Sequence, residues 1–268
     1  MAPSLASVAV GLVVLAVVFG VLERVAPAVP GQPRWRRGLG VDVAWWFVTP
    51  LATKWLTRIA IVLVLVATAL LAGVPIDEPH LREYLAPSPT IAQLPWLVQL
   101  LLFLLLADLL AYVMHRALHG RRLWPIHAVH HSSTEVDWLS SVRVHPLNDV
   151  LVRVAQAVPI VLIGFDPLVI AAYVPLLAFY TVLVHANVPW DFGPLRYVLA
   201  SPHFHRWHHA AEEDGMNRNF AGLFPFIDLV FGTLHLPRHR PQRFGIPDGD
   251  VPERLWGQVA YPFRRKRR

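Results

Sequence analysis

The chain has 268 residues, 55% of them hydrophobic and only 16% charged, with a formal net charge of +6 and no cysteine. Soluble domains carry nearer ~25% charged residues, so the composition points to one membrane-embedded unit rather than separate water-soluble cores. The missing thiol excludes disulfides, thiolate metal ligands, iron–sulfur clusters and cysteine nucleophiles.

In chain order, residues 6–22 form an uncharged apolar run. No basic segment precedes it, and Glu23-Arg24 follows where a signal peptide would have small residues, so it reads as a first span. Trp45, Trp46 and Trp55 suit an interfacial segment leading into a second span over residues 56–73, with Lys54 and Arg58 snorkelling at its start. Residues 91–112 make a third span. Apolar stretches near 150–164 and 168–188, joined by Gly164-Phe165-Asp166-Pro167, read as a helical hairpin. Its first arm is short and carries Arg153 and Gln156, so it either spans or dips.

Loop charges orient these spans. Arg24, Arg34, Arg36 and Arg37 follow the first span, whereas Asp77, Glu78 and Glu83 face only Arg82 after the second. Later polar stretches are basic again, ending in Arg264, Arg265, Lys266, Arg267 and Arg268. The positive-inside rule then puts the first loop, the histidine segments and the C-terminus in the cytoplasm. No nucleic-acid-binding motif accompanies the basic tail, so no nucleic acid is expected as a partner.

Three histidine clusters interrupt the apolar pattern: His115/His119 as H-x-x-x-H, then His127/His130/His131 and His205/His208/His209, both H-x-x-H-H. Neutral imidazole ligates iron, zinc, copper and nickel. Positions one, four and five of H-x-x-H-H share a helix face about 100° wide, so three rings can converge. Eight imidazoles are too many for one tetrahedral zinc. They suit two metals with open positions for water, oxygen or substrate. A lone histidine is an ordinary surface or core residue, but three spaced clusters are not.

Asp108 and Tyr112 fall on the same helical stripe as His115 and His119. An acid inside an apolar span is costly to ionise. The bland reading is a capped structural acid; the sharper one has Asp108 orient an imidazole through its outer nitrogen, with Tyr112 beside it. His185 ends the last span on the histidine side and reads as a ninth ligand. His145 reads as a group behind a ligand or an extra ligand, and His203 as structural or substrate-facing. His80, His235 and His239 receive no role. No G-x-S-x-G, Walker, G-x-G-x-x-G or H-E-x-x-H motif is present. Nor is there a haem or flavin fingerprint, so no bound haem or flavin is expected and electrons come from an external partner.

Longer motifs contain these residues: Asp108-x-x-x-Tyr112-x-x-His115-Arg116-x-x-His119, Leu123-Trp124-x-x-His127-x-x-His130-His131-Ser132-Ser133, Arg143-x-His145-Pro146 and His185-x-Asn187. Ser201-Pro202-x-Phe204-His205-Arg206-x-His208-His209, Asn219-Phe220-Ala221-Gly222 and Asp228-x-x-Phe231-Gly232-Thr233 complete the set. Over residues 94–237 the chain thereby resembles the fatty acid hydroxylase/sterol desaturase superfamily of membrane di-iron oxygenases. The resemblance implies two iron ions, dioxygen, an external electron-transfer protein, and hydroxylation or desaturation of a lipid C–H position. Asn187 then joins His145 and His203 as a supporting group or candidate extra ligand. Asn148 stands where the family often has Glu; His203 and Asn219-Phe220-Ala221 are further departures that bear on substrate fit.

The expected fold is all-α, a polytopic membrane helical bundle of four to five spans with a cytosolic histidine-rich helical cap. Residues 1–90 would hold the N-terminal spans, 91–237 the catalytic domain and 238–268 a basic cytoplasmic tail. Because zinc stands above iron in the affinity order, a purified sample can carry zinc. The rival reading is a zinc-dependent membrane hydrolase of lipid esters or amides. A metal transporter would carry its ligands near mid-membrane, whereas these lie beyond the span ends.

Overall fold

In the computed structural model, residues 4–247 and 249–264 are described. Arg265, Lys266, Arg267 and Arg268 of the expected basic tail lie outside the described residues. Helix α1 (Leu5–Val25) is capped by Ser4, whose hydroxyl accepts the Ser7 N–H. Helix α2 (Leu39–Val48) runs through a π turn at Thr49–Thr53 directly into α3 (Lys54–Leu71). Pro50 has no N–H to donate and its ring crowds the preceding turn, which accounts for the local widening.

This corrects the expected interfacial segment. Leu39–Leu71 is one helical stretch of 33 residues, and Trp45 is buried, its Nε1–H donating to Gln258 Oε1 at 2.7 Å. Trp46 donates to the Val8 carbonyl at 2.9 Å, fastening α2 to α1.

Two short helices, α4 (Glu78–Tyr84) and α5 (Pro89–Ala92), lead to α6 (Trp96–Leu118). Then follow α7 (Trp124–His131), a 3-10 turn at Trp138–Val142, and the hairpin of α8 (Pro146–Ile163) and α9 (Pro167–His185). The rest of the cap is short: α10 (Pro202–His208), α11 (Pro225–Val230) and α12 (Leu255–Ala260). Proline opens α8 through α11, where its fixed φ suits the first helical position and its missing N–H costs nothing. Among the described residues there is no strand, only an isolated bridge between Ala210 and Phe244.

Five helical stretches, α1, α2–α3, α6, α8 and α9, are long and apolar enough to cross a bilayer. Val10, Val13 and Val17 on α1, Ile59, Val62 and Leu63 on α3, and Leu97 and Leu101 on α6 are each more than half exposed. Such faces belong against lipid, and the protein is a multi-pass membrane protein. The hairpin goes as deep as its neighbours. At its tip the Gly164 carbonyl accepts the Ser88 N–H at 2.8 Å, in the connection between α3 and α6. A Cβ on Gly164, where φ is +82°, would sit 2.3 Å from that nitrogen, so only glycine fits.

Inside the bundle, Phe103, Leu104 and Ala107 of α6 pack with Ile160 of α8 and Phe165, Val169 and Tyr173 around α9. Gln156, one of the polar residues of the hairpin's first arm, donates to the Ala107 carbonyl at 2.9 Å and is thereby satisfied within the bundle. At the other end of the helices, Val41 and Trp45 of α2 pack with Ala128 and Val129 of α7 and with Tyr261 just after α12. The C-terminal segment therefore folds back over the cap.

Candidate metal centre

Nine histidines gather where α6, α7, α9 and α10 end. They divide into two groups, His115, His119, His127, His131 and His208 in one and His130, His185, His205 and His209 in the other. Within each group the candidate ligand nitrogens lie within 4.8 Å of one another. The sequence clusters are not the spatial groups. On α7 the i,i+4 pair His127/His131 faces the five-histidine group, while His130, rotated about 100° from its neighbour, faces the other. On α10 the pattern inverts: His205 and His209 serve the four-histidine group and His208 crosses to the five. Each H-x-x-H-H triplet thus bridges the two groups instead of converging on one point.

Hydrogen bonds behind the rings decide which nitrogen faces inward. Nδ1–H donates from His115 to the Phe220 carbonyl (2.7 Å), from His127 to Asn148 Oδ1 (2.7 Å) and from His208 to the Arg218 carbonyl (2.8 Å). His119 likewise donates to Asn217 Oδ1 (3.2 Å), His130 to the Arg143 carbonyl (3.2 Å) and His185 to the Thr181 carbonyl (2.7 Å). Carbonyl oxygens only accept, so these six neutral rings keep their protons on Nδ1 and point Nε2 lone pairs inward.

That arrangement brings acceptor against acceptor. His115 Nε2 lies 3.0 Å from His127 Nε2 in one group, and His185 Nε2 lies 3.3 Å from His130 Nε2 in the other. His119 Nε2 and His208 Nε2 are buried with no hydrogen-bond partner at all. Protons do not resolve the conflict. Burial first, then the neighbouring imidazoles, holds His127, His130, His131, His205, His208 and His209 well below the ordinary 6.5, and lowers His119 to about 3. A metal cation does resolve it: nitrogens at 2.0–2.1 Å from one ion are about 2.9–3.4 Å apart. The residues fit one metal per group, in an all-imidazole donor set that iron and zinc both accept.

Asp108 does not meet an imidazole. Its carboxylate accepts the backbone N–H groups of Gly222 (2.8 Å), Leu223 (3.0 Å) and Phe224 (2.7 Å). Asp228, on α11, accepts the preceding two, Phe220 and Ala221, each at 2.8 Å. Two buried acids thus hold five consecutive amides, and the first of those residues supplies the carbonyl that fixes His115. Tyr112 bonds Thr233 Oγ1 at 2.8 Å, and Thr233 donates onward to Asp228 Oδ1 at 2.6 Å, so Tyr112 also acts on this turn.

The remaining expected positions stand apart from both groups. His145 caps α8, its Nδ1 accepting the Leu147 N–H (3.1 Å) and its Nε2–H donating to the Val259 carbonyl (3.0 Å); with both nitrogens engaged it has none for a metal. His203 donates to the Pro237 carbonyl at 2.8 Å. Asn187 pins the connection after α1, its Oδ1 accepting the Val29 N–H at 3.0 Å.

Two supports escaped the sequence reading. Asn148 is the partner of His127, although the sequence marked it only as a departure from the family pattern. The other is a buried ionic network under His130. Arg143 Nε meets Asp42 Oδ1 at 2.6 Å, Arg36 Nη2 meets Asp42 Oδ2 at 2.7 Å, and Arg36 Nε meets Asp137 Oδ2 at 2.5 Å. Burial alone would lower Arg36, but Asp137 and Asp42 hold its guanidinium above the ordinary arginine range. The network locks Arg143, whose carbonyl receives His130.

A multi-pass helical membrane protein with two all-histidine groups on its cap is the class this fold and site define. The fatty acid hydroxylase family matches residues 100–233, half of the chain, and the protein belongs to that family. The chain is similar to an ornithine lipid hydroxylase of Rhizobium tropici, 34% identical over 179 residues, 66% of this chain and 54% of that protein. It is also similar to an alkylglycerol monooxygenase of Caenorhabditis elegans, 26% identical over 171 residues, 63% of this chain and 32% of that one. A very-long-chain aldehyde decarbonylase of Oryza sativa subsp. indica is 31% identical over 140 residues, 47% of this chain and 22% of that one. The chain therefore spans about half the length, or less, of these curated relatives. No solved structure matches it.

Proposed function

We propose that the protein is a membrane-bound non-haem di-iron oxygenase that hydroxylates or desaturates a C–H position of a lipid, with dioxygen and electrons from an external protein. The observation that carries this reading is the pair of inward-facing Nε2–Nε2 contacts, one in each histidine group, between rings whose protons are held on Nδ1 by bonds to oxygen. Family membership and relatives named for lipid hydroxylation and monooxygenation support the same conclusion. Iron held by these nine histidines would supply dioxygen reduction and hydrogen abstraction from carbon.

The chain's own residues have simpler tasks. They hold neutral imidazoles with their lone pairs converging, and they bury the groups so that each ring stays unprotonated. Asp108 and Asp228 keep the 220–224 turn, and with it His115, in register. We assign the cap to the cytoplasmic side because Arg24, Arg34, Arg37, Arg121 and Arg122 are exposed at that end of the spans. Arg36, buried in the ionic network, adds nothing to that bias.

His127→Ala and His208→Ala are expected to abolish lipid oxidation while the protein stays membrane-inserted; full turnover by either variant defeats the assignment. Turnover that persists without dioxygen and reductant is the signature of the zinc hydrolase alternative.

A further inference from the structure

A cavity of about 1080 Å³ opens on the cap and reaches one histidine group only. Its floor contains His119, His131 and His208 of the five-histidine group, and none of His130, His185, His205 or His209 lines it. Its walls are apolar and aromatic, with Trp124, Ile246, Pro247 and Tyr261. Two arginines, Arg121 and Arg264, are among its lining residues, and both are exposed. One carboxylate, Asp250, lines it as well and accepts the Tyr261 hydroxyl at 2.7 Å. The formal charge of these three groups is positive.

We propose that this cavity is the substrate site and that it takes an anionic amphiphile, its charged group held at Arg121 and Arg264 and its first methylenes lying over the five-histidine group. The proposal rests on the oxygenase reading above and names the substrate class for it. The combination of linings selects the ligand: apolar walls favour an aliphatic segment, and two arginines in the lining favour a phosphate or carboxylate. Arg121 follows His119 by two residues, so the anchored charge and the reactive floor are only a short length of ligand apart. Oxidation therefore falls close to the head group rather than far along the chain. The two histidine groups are also unequal partners, the five-histidine group facing substrate and the four-histidine group lying behind it.

The test is binding to the full-length, metal-loaded protein in a neutral detergent, followed by tryptophan fluorescence. Dodecyl phosphate, dodecanol and inorganic phosphate are the probes. Dodecyl phosphate is expected to bind about tenfold more tightly than dodecanol, the size of effect that two exposed ion pairs provide. Inorganic phosphate, lacking the chain, is expected to bind more weakly than either. The Arg121→Ala/Arg264→Ala variant should lose the preference with its metal content unchanged, and Met216→Trp, which fills the cavity, should weaken both amphiphiles.

Equal affinity for the two amphiphiles in the unmodified protein overturns the proposal. So does inorganic phosphate binding as tightly as dodecyl phosphate, which would mark a plain anion site. Because binding is read without turnover, tight dodecyl phosphate binding in a protein that oxidises no lipid defeats the oxygenase reading and leaves only the binding site for an anionic amphiphile in place. Lipid oxidation without the binding preference does the reverse.

Discussion

Replacing Asn148 by alanine removes one hydrogen bond and is expected to weaken one metal site. Asn148 Oδ1 accepts the His127 Nδ1–H at 2.7 Å, and both residues are buried. In the metal-free variant His127 can move its proton to Nε2, where the Nε2 atoms of His115 and His131 lie 3.0 and 3.1 Å away as acceptors. Metal binding forces the proton back to Nδ1, now a buried donor without a partner. That state costs about 1–3 kcal/mol, a loss of roughly 5- to 150-fold in affinity, in line with the ~10- to 100-fold effect of deleting an outer hydrogen-bond partner of a metal ligand. The penalty belongs to the five-histidine group alone.

Titration against a calibrated chelator should show one metal equivalent released about 10- to 100-fold more readily and the other unchanged. Asn148→Asp keeps an acceptor, adds a charge, and should restore binding to at least the original strength. If Asn148→Ala holds both equivalents as tightly as the unmodified protein, the assignment of Nδ1 protons is wrong.

His130→Ala and His131→Ala alter adjacent residues yet should each lose a different metal. Cobalt-substituted samples of the two variants are expected to give distinct absorption spectra that sum to that of the unmodified protein; identical spectra would contradict the crossed arrangement. Asp42→Ala leaves Arg36 and Arg143 buried with one fewer counter-charge and should cost about 3–5 kcal/mol of stability in chemical denaturation; a loss below ~1 kcal/mol would mean the network is dispensable. The metal-free protein should lose stability as pH falls below 6.5. The folded state holds seven cap imidazoles neutral there, with His119 lowered to about 3, whereas the unfolded chain takes up protons near 6.5. Its melting temperature should therefore be higher at pH 7.5 than at pH 5.5, and equal values would refute the burial argument.

Periodicity revealed what depends on spacing along one element. The apolar runs became the five crossing stretches, and the helical spacing of the histidines brought the nine named rings together. What stayed hidden depends on the path of other elements. Adjacent histidines such as His130 and His131 look interchangeable until a second helix shows that each faces a different group. Asp108 shares a stripe with His115, but its partners are amides more than a hundred residues later, which no local pattern predicts.

Arg36 read as one of several loop charges, although Asp42 and Asp137 bury it in an ion pair network. Trp45 read as interfacial because tryptophan favours that depth; the carboxamide of Gln258, from the C-terminal helix, gives its N–H a partner inside the protein instead. Asn148 carried a signal only as a departure from the family pattern, two residues after the Arg143-x-His145-Pro146 motif.

The most direct measurement is oxygen-isotope labelling of the product. Iron-loaded protein in its membrane, supplied with reductant, an electron-transfer protein and ¹⁸O₂, is expected to yield a hydroxylated lipid carrying one ¹⁸O, or a lipid two hydrogens lighter with ¹⁸O recovered in water. Both products should vanish in His127→Ala and His208→Ala. A product formed equally well under anaerobic conditions, with its new oxygen drawn from water, would contradict an oxygenase and establish hydrolysis in its place.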